Sequence, residues 1–113
     1  MKDQLDCIEI SINKNFYTIR YNGFSKKTTD STIITNILNK DYGSLISYSK
    51  KGNDLNLKFQ KMIISIKSIR NINKRGNDLA LFNYLVSIDN PNILKLIPVS
   101  IGLDSSLLDA NDV

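Results

Sequence analysis

Cys7-Ile8-Glu9-Ile10-Ser11-Ile12 and Tyr17-Thr18-Ile19-Arg20-Tyr21, separated by Asn13-Lys14-Asn15-Phe16, carry the fold of this chain. Apolar and polar residues alternate in both runs, the period of a half-buried strand. A four-residue loop sets Ile12 against Tyr17, Ile10 against Ile19 and Ile8 against Tyr21. The same register sets Glu9 against Arg20 and Ser11 against Thr18 on the other face. One register therefore satisfies both faces, as an antiparallel pair with one dry side requires.

Outward from this hairpin the pattern changes period. Thr29-Asp30-Ser31 is a cluster of N-cap residues. Ile33, Ile34, Ile37 and Leu38 then fall at helical spacing, and Gly43 provides a stop. The spacing predicts a short amphipathic helix over 31–41. A second hairpin follows, with Tyr48 opposite Leu57, Ile46 opposite Phe59 and Ser47 opposite Lys58 about a Gly52-Asn53 turn. The turn recurs: Lys50-Lys51-Gly52-Asn53-Asp54-Leu55 is echoed 24 residues later by Lys74-Arg75-Gly76-Asn77-Asp78-Leu79. Two copies are too few for a solenoid, and two wet hairpin tips account for them.

Residues 62–72 read as an Ile-rich strand with a bulge near Ser68. Residues 79–88 are almost wholly apolar and fit either a strand buried on both faces or a core helix. The hairpin-like turn before them favours the strand. Asn90-Pro91 has the form of an N-cap followed by proline at the first helical position, opening a short helix through Ile97. The expected fold is α+β: a β-rich domain of antiparallel hairpins, about six strands, with two or three short helices. Residues 1–103 form the single globular domain and residues 104–113 an acidic tail or short helix. At 113 residues the chain is long enough for one modest core.

The inventory excludes several chemistries. The chain has no His and one Cys, Cys7. Zinc, iron–sulfur and His-ligated haem sites lack ligands. Cys–His and Ser–His–Asp catalysis lack their base. One Cys cannot form an internal disulfide, and Cys7 reads as a small strand side chain. The five Gly are scattered singly, with no phosphate-binding loop among them. Asp30, Asp54, Asp78 and Asp89 sit where turns and caps need them, which accounts for them without catalysis. The chain is expected to be non-enzymatic, with no metal and no cofactor. No apolar run is long enough to cross a bilayer and none resembles a signal segment, so an intracellular location, cytoplasmic or nuclear, is expected.

The net charge of +4 is unevenly spread. Residues 1–13 carry −2 and residues 14–39 carry +3. Residues 40–75 carry +7, and residues 76–113 carry −4. The basic centre contributes Lys50, Lys51, Lys58, Lys61, Lys67, Arg70, Lys74 and Arg75 as candidates for binding an acidic partner or nucleic acid. Tyr42, Tyr48 and Phe59 are interleaved with these cations and would supply stacking on bases, but Tyr48 and Phe59 fall on the apolar face in the predicted register. Only three cations are Arg, the residue that base edges favour. The leading expectation is a protein–protein interaction domain: a small subunit, adaptor or inhibitor within a larger complex. A sheet edge or the helix around Ile33 and Ile37 would dock, with Leu107 and Leu108 as a second apolar element. The partner is another protein, as a hetero-complex or homo-oligomer. A nucleic-acid-binding module using the basic 40–75 segment is the rival, and no membrane partner is expected.

Overall fold

The computed structural model describes residues 4–72, 77–88 and 90–96. Lys74 and Arg75, Leu107 and Leu108, and the tail expected over 104–113 lie outside them. The strands are β1 (Cys7–Ile12), β2 (Tyr17–Tyr21), β3 (Phe24–Thr28), β4 (Leu45–Lys51), β5 (Asp54–Phe59) and β6 (Ile63–Lys67). Helix α1 (Ser31–Leu38) follows β3. A 3-10 turn (Ile69–Asn71), α2 (Asn77–Ser87) and α3 (Pro91–Leu94) follow β6. The strands form one six-stranded sheet in the order β3-β2-β1-β6-β5-β4. Every pairing is antiparallel except the central one, where β1 and β6 run parallel. The fold is α+β.

The first hairpin has the register its alternation demands: Ile12 faces Tyr17, Ile10 faces Ile19 and Glu9 faces Arg20. Arg20 and Glu9 approach to 3.5 Å across that pair. The chain then turns through Asn22 (φ 49°) and Gly23 (φ 82°). Both dihedrals are positive, the mark of the two-residue hairpin turn that Asn-Gly favours. The turn produces β3, a strand not expected from its sequence. Ser-Lys-Lys carries no apolar alternation, because β3 lies at the sheet edge and is exposed from Phe24 to Lys27.

In α1 the Asp30 carboxylate accepts from the Thr32 N–H at 2.9 Å, as an N-cap should. This charge-favouring bond holds the Asp30 carboxyl below its usual range. The helix ends at Leu38, three residues short of the expected 41. In the second hairpin Tyr48 faces Leu57 and Ser47 faces Lys58, as expected. The expected pairing of Ile46 with Phe59 is corrected. The register shifts between Leu45 and Ser47, so Leu45 meets Phe59 and Ile46 is expelled to solvent. Strand β6 stops at Lys67, where Ser68 takes a left-handed conformation (φ 62°) and the chain enters the 3-10 turn. The break near Ser68 is therefore a strand end, not a bulge within a longer strand.

The strand reading of 79–88 is also corrected: the segment is α2. Leu81, Phe82 and Leu85 are fully buried at helical spacing, while Asn83 and Ser87 are exposed. The second Gly-Asn pair thus leads into a helix, not a hairpin partner, since Asn77 opens α2. Asn90 caps α3 by accepting from the Asn92 N–H at 3.0 Å, with Pro91 next, as read from the sequence. Helix α3 ends at Leu94, short of the expected Ile97.

The helices share one face of the sheet. Ile34 and Leu38 of α1, Leu81, Phe82 and Leu85 of α2 and Ile93 of α3 join Ile8, Ile10, Ile12, Ile19, Leu55, Leu57, Ile64 and Ile66 in one core. One row crosses all six strands on this face: Lys50, Leu55, Ile66, Ile10, Ile19 and Lys26. Four apolar residues fill its middle, and a lysine ends it at each edge strand. The opposite face carries the row Ser49, Asn56, Ser65, Glu9, Arg20 and Ser25. No described helix covers that polar face.

Candidate functional site

Helix α1 crosses the apolar face near one end of the sheet without closing against it. Ile33 and Ile37 stand one turn apart on its flank and remain half-buried, while Ile34 and Leu38 go fully into the core. Ile33 and Ile37 line a groove of about 330 Å³ together with Ile8, Tyr21, Asn36, Lys40 and Tyr42. The wall is apolar, with an amide and an ammonium at its rim.

Two tyrosines hold the groove's shape. The Tyr42 hydroxyl donates to the Ile37 carbonyl at 2.8 Å, tying the last turn of α1 to the following loop. Its ring meets Phe59 at a centroid distance of 6.0 Å, tilted by 47°. Burial pushes the Tyr42 phenol above its ordinary pKa, so it stays a neutral donor at physiological pH. The Tyr21 hydroxyl donates to Asp6 at 3.1 Å, and this bond to a carboxylate raises the Tyr21 pKa as well. Tyr21 also faces Phe24 across the Asn22-Gly23 turn. Phe24 is 79% exposed, the more exposed of the two large hydrophobic side chains standing in solvent among the described residues.

The backbone that delivers Tyr42 is tightly specified. Gly43 has φ 85°, and a Cβ there would stand 2.8 Å from the Cβ of Gln60. Gln60 in turn accepts from the Ser44 N–H at 3.2 Å, and the Lys61 N–H donates to the Tyr42 carbonyl at 2.9 Å. Only glycine satisfies both the left-handed dihedral and the contact.

Of the expected docking residues, Ile33 and Ile37 therefore come together in one groove. Tyr21, Ile8 and Phe24 are not among the docking residues expected from the sequence, and Tyr42 is expected only as a stacking aromatic. Asn22-Gly23 was the signal for the turn that presents Tyr21 and Phe24. Tyr42 carries no sequence signal for the groove beyond its place beside Gly43.

The described basic candidates do not share one face. Lys51, Lys58 and Lys67 stand on the uncovered polar face, while Lys50 is on the helix-bearing side at the β4 edge. Lys67 lies 3.4 Å from Asp54, which also accepts from the Ser68 N–H at 3.2 Å. Arg70 is exposed on the 3-10 turn. Lys61 follows the far end of β5, about 20 Å from the Lys50–Lys51 tip at the usual rise of a strand. Glu9 and Asp54 interrupt the cations on the polar face. Neither Tyr48 nor Phe59 stands there, since both belong to the apolar face or pack against the core. Lys27 sits over the half-buried Phe16 ring, 4.1 Å from its centroid, so this aromatic is already engaged by a cation.

Among the described residues no three Cys, Asp or Glu side chains cluster closely enough to hold a metal ion. Among them, too, no helix is long and apolar enough to cross a membrane. Compared with protein-family models, curated proteins and solved structures, the chain matches none of them.

Proposed function

We propose that the chain is a non-enzymatic protein–protein interaction domain, a small subunit, adaptor or inhibitor acting inside the cell within a larger complex. The groove beside α1 is its docking surface. The observation that carries this reading is the convergence of Ile33, Ile37, Tyr21 and Tyr42 on one half-open apolar cleft. A contiguous apolar surface of this kind, rimmed by polar groups, is what partner surfaces present. The partner would insert an apolar side chain between Ile33 and Tyr42 and offer acceptors to Asn36 and Lys40.

The nucleic-acid reading has less to support it. Phosphate binding favours an uninterrupted cationic track, and single-strand binding favours free aromatic platforms. Here the described cations are divided between two faces and two ends of the sheet, and Asp54 engages one of them.

The test is stoichiometric complex formation, followed by light scattering, from native-source lysate. Wild-type chain should retain a partner that Ile37→Asp and Lys40→Glu each lose, while Lys50→Ala/Lys51→Ala keeps it. The Lys40 change guards against misfolding, because that side chain is exposed. A strictly monomeric chain with no stoichiometric partner would overturn the proposal. So would a partner lost only with the lysine-tip variant and displaced by nucleic acid.

A further inference from the structure

We infer that the β3 edge is a second docking surface, one that takes an extended acidic peptide as a seventh, antiparallel strand. This rests on the reading of the chain as a protein-docking domain and names the chemistry of one partner. No described strand lies beyond β3.

The two edges of the sheet are built differently. Strand β4 is broken by its register shift between Leu45 and Ser47. Bulges of this kind spoil an edge for further pairing. Strand β3 pairs with β2 without interruption, from Tyr21–Phe24 to Tyr17–Thr28. Its outer side is thus a regular, unbroken ladder.

Hairpin geometry identifies the groups it offers. In a two-residue hairpin the residues flanking the turn exchange both hydrogen bonds, and bonded and non-bonded pairs then alternate. Phe24, Lys26 and Thr28 therefore bond inward to β2. Ser25 and Lys27 turn their N–H and C=O groups outward.

The side chains specify the guest. Phe24 is 79% exposed and lacks an apolar cover. Lys26 and Lys27 follow on opposite faces of the strand, both exposed. A second copy of this edge is a poor guest, because antiparallel self-pairing centred on Lys26 sets lysine against lysine. An antiparallel guest needs two consecutive carboxylates opposite Lys27 and Lys26, and an aromatic or branched residue opposite Phe24. Written from its N-terminus, that is Val-Glu-Glu-Thr-Phe. Strand addition of this type draws affinity from main-chain bonds and selectivity from the side chains alongside.

The experiment uses purified full chain and two labelled peptides, Thr-Val-Glu-Glu-Thr-Phe-Thr and its counterpart with Lys-Lys in place of Glu-Glu. The acidic peptide should bind, and amide exchange should slow at Ser25 and Lys27 but not along β4. Ser25→Pro deletes an outward N–H without touching the ladder to β2, and should weaken binding by about tenfold or more. Lys26→Glu/Lys27→Glu should reverse the preference toward the Lys-Lys peptide. Equal binding of both peptides, protection at β4 instead, or binding indifferent to Ser25→Pro would overturn the proposal, as would no binding at all. Ile37→Asp should leave peptide binding unchanged. Loss of the lysate partner with that variant, alongside a β3 edge that binds nothing, would sink the edge and spare the groove.

Discussion

Gly43 shows how one residue ties sequence to site. Its φ of 85° and its contact with Gln60 leave no room for a side chain, and Tyr42 is held in the groove wall by the bonds on either side. Gly43→Ala should destabilise the domain by about 1–3 kcal/mol, combining a left-handed penalty with the displacement of Gln60. Denaturant unfolding would read the loss directly. Tyr84 offers a second check. Burial pushes its pKa up to about 12 from 10.0. A raised phenol pKa favours the neutral form in the folded state, so stability is whole below pH 10 and falls as pH rises toward 12. Tyr84→Phe should flatten that alkaline decline in a series of thermal melts. Asp30 has the opposite sign, because its carboxyl is held low by the Thr32 N–H. Its cap is present above the ordinary carboxylate pKa and lost as pH falls below it. Asp30→Asn, which still accepts the hydrogen bond, should melt with a weaker dependence on acid pH.

The lesson at the scale of elements lies in Ile46 and Phe82. Both are large apolar residues expected in the core, yet Ile46 is 57% exposed and Phe82 is fully buried. Ile46→Ser should change stability by no more than about 0.5 kcal/mol. Phe82→Ala should cost about 3–5 kcal/mol, a large part of what a domain of this size possesses. Paired unfolding curves would separate them. Alternation predicted the first hairpin because each of its faces has a single requirement, one dry and one wet. The same rule failed at Ile46, since a bulge inserts one residue and reverses the alternation after it. It failed again at 79–88, where a continuously apolar run carries no period with which to tell strand from helix. Strand β3 escaped notice for the converse reason. An edge strand exposed on both faces has no apolar period to display, and only Asn22-Gly23 announces it.

Across the whole molecule, the parallel pairing of β1 with β6 joins two three-stranded meanders into one sheet. Leu55, Ile66, Ile10 and Ile19 become a continuous apolar row only after that joining. Native-state hydrogen exchange should therefore be slowest in β1 and β6, the central pair farthest from either edge, and fastest in the edge strands β3 and β4. Slow exchange confined to either meander alone would contradict a single cooperative sheet. The same assembly disperses the basic segment. Residues 40–75 are strongly positive in sequence, but the antiparallel course of β4, β5 and β6 distributes the described cations among them over both faces and both ends. Binding to duplex or single-stranded nucleic acid, measured at two salt concentrations, should be weak and little changed by Lys50→Ala/Lys51→Ala.

Taken by itself, the sequence determined what depends on neighbours within a few residues. The register of β1 with β2, the caps at Asp30 and Asn90, the α+β composition and the chemistries that lack ligands all belong to that group. Ile33 and Ile37 were legible as the flank of a helix, since helical spacing is local. Long-range pairing decided the rest. Which meander edges meet, which edge stays regular, and whether Tyr21 and Tyr42 close around Ile37 depend on contacts between segments far apart in the chain. Local periodicity carries no information about those contacts. The groove and the β3 edge are products of that assembly.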